Sequence, residues 1–152
     1  MSEKRFTFNG VTPYLHYEDG AAMIDWLSRV LGFQERSRFV DKDGRVGEAE
    51  MAIGDNKLWF AGHGPGYWAG KGRGPEQLTL IWVDDVDAHY THLRAAGVEA
   101  DPPQDQTYGV RSYNVTDPEG YTWGFMTSLD TGYVQSKPLE QGGLQEIRAP
   151  GA

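Results

Sequence analysis

The chain has 152 residues, 14 Lys and Arg against 22 Asp and Glu, a formal net charge of −8 and no cysteine. Its length predicts one domain or two small units sharing a core, and 39% hydrophobic with 12% aromatic residues excludes wholesale disorder. The charge repels phosphate backbones with no basic run to offset it, which speaks against nucleic acid, and zero cysteine removes disulfides, thiolate metal ligands, iron–sulfur clusters and cysteine nucleophiles. MSEKRFTFNG lacks an apolar stretch of signal-peptide length, and no segment approaches the roughly 18 apolar residues of a membrane span. A soluble, cytoplasmic domain is expected.

VTPYLHY (11–17) alternates and carries aromatic residues, which predicts a strand with Pro13 near its start. Asp19 then fits an N-cap for a helix to about Leu31, with Gly32 as its stop and Met23, Leu27, Val30 and Leu31 on one face. FQERSRFV (33–40), RVGEAEMAI (45–53) and KLWFAG (57–62) read as three strands separated by the turns Asp41-Lys42-Asp43-Gly44 and Gly54-Asp55-Asn56. The order then repeats. LTLIWVDD (78–85) is a strand ending in acids, Asp85 caps a helix to Ala96, and Gly97 stops it; Val86, Tyr90 and Leu93 form its apolar stripe. VEAD (98–101) begins another strand, VRSYNVT (110–116) is the next, Asp117-Pro118-Glu119-Gly120 turns, and YTWGFMT (121–127) closes. Overlaying Ile81 on Leu15 places Trp82 on His16, Asp84 on Glu18 and Asp85 on Asp19, so an internal duplication is the best account of the pattern.

The joint GHGPGYWAGKGRGPE (62–76) has six glycines and two prolines. It misses the phosphate-loop spacing, because Gly66 and Gly70 enclose three residues and Gly72 stands where Ser or Thr is required. A flexible connector that folds over a binding surface is expected instead. Residues 129–152 lose periodicity and read as a tail, frayed or laid on a partner subunit.

Two βαβββ modules with D-P-E-G-Y before the final strand resemble the vicinal oxygen chelate superfamily of glyoxalases, bleomycin-resistance proteins and extradiol dioxygenases. The pieces that carry the resemblance are TPYLHYEDG (12–20), LGF (31–33), VDDVDAHY (83–90) and DPEGYTWGF (117–125). It implies an α+β domain over 9–128: module one at 9–61, the glycine-rich joint at 62–76 and module two at 77–128. The modules would form an eight-stranded, incompletely closed sheet around a concave pocket, with helices outside, often in a homodimer. The four strand positions that carry metal ligands in the superfamily's enzymes fall here on Thr12, Trp59, Leu78 and Gly124. Trp, Leu and Gly offer no side-chain lone pair for a divalent cation and Thr is a poor ligand, so neither a metal nor another cofactor is expected.

Because strand side chains alternate, Thr12 and Trp59 facing inward bring Tyr14, His16, Leu80, Trp82 and Met126 inward with Leu78. Trp68 in the joint closes over the opening, Tyr108 and Arg111 line its rim, and Trp26 and Trp123 belong to core packing. Such a cavity suits stacking on a planar or aromatic small molecule, with His16 as a polar handle. The leading function is therefore metal-independent sequestration, like that of bleomycin-resistance proteins. The alternative is a metal-dependent lyase, isomerase or dioxygenase with a displaced site at His16 and Glu48 or Glu50. A third is an apolar concavity that receives a protein segment. His89 and His92 read as a solvated face rather than a surface metal clip, His63 alone points nowhere, and no Gly-x-Ser-x-Gly elbow is present.

Overall fold

The computed structural model describes residues 7, 9–72, 77–129, 140, 141, 144, 145, 147 and 150. The chain divides into two compact units, Met1–Gly74 and Pro75–Ala152. Both are α+β, each built on a four-stranded mixed sheet with one helix, and neither sheet closes on itself.

In the first unit the order is β1 (Tyr14–Tyr17), α1 (Gly20–Arg29), β2 (Gln34–Val40), β3 (Val46–Ile53) and β4 (Asn56–Gly62). The sheet runs β1-β4-β3-β2, with β1 parallel to β4 and the other pairs antiparallel. Asp19 starts the helix by accepting the Ala22 backbone N–H at 3.0 Å, satisfying a donor that the first turn leaves open. Met23, Ile24 and Leu27 are buried on α1, and Leu15, Tyr17, Ala49, Met51, Leu58 and Phe60 are buried on the strands. Every second residue of β1, β3 and β4 is thus committed to the core. Tyr17 and Phe60 meet edge to face at 5.1 Å.

The second unit repeats the plan with β5 (Leu78–Trp82), α2 (Val86–Ala95), β6 (Gln104–Asp105), β7 (Val110–Thr116) and β8 (Thr122–Ser128), in the order β5-β8-β7-β6. Asp85 caps α2 on Ala88 at 3.0 Å as Asp19 caps α1. Leu15 pairs with Phe60 and Ile81 with Phe125, so the overlay of Ile81 on Leu15 holds in strand register. The glycines expected to stop both helices, Gly32 and Gly97, have positive φ. The D-P-E-G turn is built on a buried Asp117. Its Oδ1 accepts the Glu119 and Tyr121 amides at 2.9 and 3.1 Å, and its Oδ2 accepts the Trp123 indole N–H at 3.1 Å. Two two-residue strands, β9 (Glu140–Gln141) and β10 (Leu144–Gln145), pair antiparallel; the remainder of the expected tail lies largely outside the described residues.

Three expectations change. VEAD forms no strand; pairing starts at Gln104, after Pro102-Pro103, whose missing N–H groups cannot join a ladder. His89 is not on a solvated face. Its Nδ1 lies 2.6 Å from the Tyr113 hydroxyl and its ring stacks on Phe125 at 4.0 Å, because it shares the core side of α2 with Val86 and Leu93. Trp26 is only half-buried, whereas Trp123 is a core residue as expected. Among the described residues no helix is long and apolar enough to cross a membrane.

Candidate functional site

The face of the first sheet opposite its buried side chains is open. Its registration is fixed by pairing: one row reads Tyr14, Trp59, Glu50, Ser37 across β1, β4, β3 and β2, and the next reads His16, Ala61, Glu48, Phe39. Tyr14 and Trp59 are adjacent aromatics, 45% and 42% exposed. The Trp59 indole N–H donates to Glu50 Oε1 at 3.0 Å, and Lys57 Nζ lies 3.5 Å from the same oxygen. The indole bond, with Lys57 adding to it, holds the Glu50 carboxyl below its usual range. Burial first, and the Glu48 carboxylate second, raise the Tyr14 hydroxyl above its usual value.

At the end of this face the glycine-rich segment folds back on its own unit. His63 N–H donates to Tyr17 O at 2.8 Å, Gly64 N–H to Glu18 O at 2.9 Å, and Trp68 N–H to Glu18 Oε1 at 3.0 Å. Turns bonded from Tyr67 to Gly64, Ala69 to Gly66 and Lys71 to Trp68 give residues 62–72 a defined path in place of the expected flexible connector. They build an aromatic column. His16 Nδ1 and His63 Nε2 lie 2.9 Å apart, one ring donating and the other accepting; His63 stacks on Tyr67 at 3.9 Å; Lys71 Nζ stands 3.6 Å over the Tyr67 ring. Tyr14 packs edge-on to His16 at 5.4 Å and Trp68 edge-on to Tyr67 at 4.8 Å, so Tyr14, His16 and Trp68 belong to one cluster. The sequence reading missed His63, Tyr67, Lys71 and Glu18. The available signal was an aromatic pair inside an otherwise Gly- and Pro-rich run.

His63 is held below the usual histidine range by burial first, then by the charges of His16, Lys71 and Arg45. A histidine that protonates more readily when released favours release in acid. The contribution of neutral His63 to docking is therefore fully present above about pH 6.5, the ordinary histidine value, and is lost as pH falls through the lowered value of the docked state. Amide resonances of residues 63–71 are expected to shift together in that window, and His63→Gln to abolish the transition. Resonances unchanged between pH 7.5 and 5 would contradict it.

In the second unit Leu78, Leu80 and Trp82 occupy alternate positions of β5, with Leu80 52% and Trp82 61% exposed, beside Thr122, Gly124 and buried Met126 of β8. Tyr108 is half-buried in the turn before β7. Arg111 stands apart from this group. It shares the parity of buried Tyr113 and Val115, and its guanidinium is engaged by Asp87 and Asp105 at 3.0 Å each. It is a clamp between α2 and β6 rather than a rim group.

The four superfamily ligand positions do not fit a metal. Trp59, Leu78 and Gly124 lack donor side chains and Thr12 lies exposed just ahead of β1. A Cβ on Gly124 would meet Asn114 Oδ1 and Leu80 Cδ2 at 2.9 Å, so a ligating side chain there would have to displace its neighbours. The displaced site fares no better. His16 Nδ1 faces His63, Glu50 is engaged by Trp59 and Lys57, and among the described residues no three His, Asp or Glu side chains converge as metal ligands.

The family model of the Glyoxalase/Bleomycin resistance protein/Dioxygenase superfamily matches residues 11–125. TioX from Micromonospora sp. ML1 is similar at 31% identity and TM-score 0.66, covering 80% of this chain and 100% of its own. TnmS3, an antibiotic binding protein from Streptomyces sp. CB03234, aligns at 23% identity and TM-score 0.64 over 82% of this chain and 99% of its own. A bleomycin resistance determinant encoded on the transposon Tn5 aligns at 21% and 0.61 over 80% and 98%. The last two share the fold alone. No curated protein matches the chain.

Proposed function

The chain belongs to the glyoxalase/bleomycin resistance protein/dioxygenase superfamily, and from that membership we propose that it binds and sequesters a planar or aromatic small molecule without a metal. The observation that carries this reading is the half-exposed Tyr14–Trp59 pair on an open sheet face, at a position where the family's metal enzymes place a ligand. The indole is oriented by Glu50, so its ring is presented in a fixed pose at little entropic cost. Kinship in fold with an antibiotic binding protein and a bleomycin resistance determinant supports a small-molecule ligand.

In this reading Tyr14, His16, Trp59 and Trp68 supply the stacking surface. Leu78, Leu80 and Trp82, backed by buried Met126, are a second apolar surface on the other unit, and Tyr108 belongs to the same reading. Residues 9–128 constitute the binding domain. The homodimer implied by the superfamily belongs to the same proposal, since the exposed Leu78–Leu80–Trp82 stripe is apolar surface of the kind that subunits cover.

Covering roughly 200 Å² of apolar ligand surface contributes about 5 kcal/mol, and stacking adds about 0.5–1.5 kcal/mol per aromatic pair. Micromolar binding is then expected, read as quenching of tryptophan fluorescence by a panel of planar compounds. Trp59→Ala should weaken it about tenfold or more, and EDTA should leave it unchanged. Absence of quenching across the panel would sink the proposal. Binding that EDTA abolishes would favour the metal-dependent alternative.

A further inference from the structure

Two glutamates lie on the open face of the first sheet, and they differ in what they are bound to. Glu50 is committed: it accepts the Trp59 indole N–H, faces Lys57 at 3.5 Å, and feels Arg36 as its next positive charge. Glu48, two residues along the same strand face, has no ion-pair partner among the described residues. Four other basic groups among the described residues of this unit are directed elsewhere. Arg38 pairs with Glu35, Arg45 with Asp41 and the Gly62 carbonyl, Arg29 with Asp25, and Lys71 stands over Tyr67.

The surroundings of Glu48 are aromatic. Phe39 is its direct cross-strand neighbour on β2 and is 64% exposed, while Ala61, directly opposite on β4, contributes only a methyl group. Trp59 is its diagonal neighbour on β4, within reach of a long ring. Its carboxylate field reaches the Tyr14 hydroxyl. A half-buried carboxylate with no ion-pair partner among the described residues, bordered by Phe39, Trp59 and Tyr14, combines the two things that recognise a flat organic cation: an opposite charge in partly desolvated surroundings and ring faces with negative quadrupole.

We infer that Glu48 is the anchor for a positively charged planar ligand, with Tyr14, Trp59 and Phe39 as its stacking surface. This rests on the proposed aromatic-binding reading and adds to it the charge of the ligand and the residue that reads it. Glu50 does not share the role, because its charge is already spent on orienting Trp59.

The test uses two probes of nearly equal shape, N-methylacridinium and neutral acridine, titrated at pH 7.5 and low ionic strength into the full chain. The cation is expected to bind about tenfold more tightly, and added salt to narrow the gap. Glu48→Gln, which keeps the side chain's size, should remove that preference while leaving acridine affinity unchanged. Trp59→Ala should weaken both probes. Equal affinity of the two probes for the parent protein, or equal weakening of both by Glu48→Gln, overturns the anchor while the aromatic site stands. If neither probe binds the parent protein, the aromatic site and the anchor fall together.

Discussion

Trp123→Ala is expected to destabilise the second unit by about 3–5 kcal/mol, the range for removing a large aromatic from a packed core. Trp123 is 1% exposed and sits on β8 between Val115 of β7 and Thr79 of β5. Its indole N–H donates to Asp117, the residue that also holds the D-P-E-G turn through two backbone amides. The mutation therefore opens a cavity and withdraws a donor from a buried carboxylate, and the two costs can be separated. Trp123→Phe keeps an aromatic ring, loses the N–H and leaves a smaller cavity than alanine does, so it should cost less than the alanine variant, with about 1–3 kcal/mol of its cost the usual penalty for depriving a buried group of one partner. Urea unfolding followed by circular dichroism measures both. A loss under 1 kcal/mol for the alanine variant would show that the turn and core do not depend on this residue.

The same residue illustrates what could be read from sequence. Trp123 falls on the core face because side chains alternate along β8 and it is one residue from Gly124, the position that the superfamily resemblance turns to the opposite face. That argument put Tyr14, His16 and Trp59 on one face of one sheet and Leu80, Trp82 and Met126 on one face of the other. It also contained the answer for Arg111, which shares the parity of Tyr113 and Val115, but the residue was read by its charge rather than its register. His89 was legible in the same way, three residues after Val86 and four before Leu93 on α2.

Other features were out of reach. The docking of residues 62–72 depends on its amides donating to the Tyr17 and Glu18 carbonyls and to the Glu18 carboxylate, some 45 to 50 positions earlier, and nothing local in a run of glycines specifies such partners. The contrast between Glu48 and Glu50 was equally hidden. Alternation places both on one face, but only cross-strand register reveals that Trp59 lies opposite Glu50 and Ala61 opposite Glu48.

Gly62→Ala should destabilise the first unit by about 3 kcal/mol, at the upper end of the usual cost of overpacking. A Cβ at this position would lie 2.3 Å from the carbonyl oxygen of Val46 and 3.3 Å from the Gly20 backbone. Here the end of β4, the start of β3 and the first residue of α1 come together, and all three sides of the contact are main chain, so no rotamer change can relieve it. Gly20 gives the internal comparison: its Cβ would meet a Val46 methyl at 2.9 Å and the Val46 carbonyl oxygen at 3.1 Å, both milder than the 2.3 Å approach at Gly62, so Gly20→Ala should cost less. The position also matters for the site. Gly62 pairs with Tyr17, its carbonyl accepts the Arg45 guanidinium at 2.8 Å, and the next residue is His63. Forcing β4 away from β3 shifts His63 from its 2.9 Å contact with His16 and loosens the Tyr67 stack above it. Gly62→Ala is thus expected to lower the unfolding midpoint and to move the His16 and His63 ring resonances together, while Gly20→Ala leaves those resonances near their parent positions. A Gly62→Ala protein as stable as the parent, with unchanged histidine resonances, would mean that the three segments are not held as tightly as their backbone separation requires.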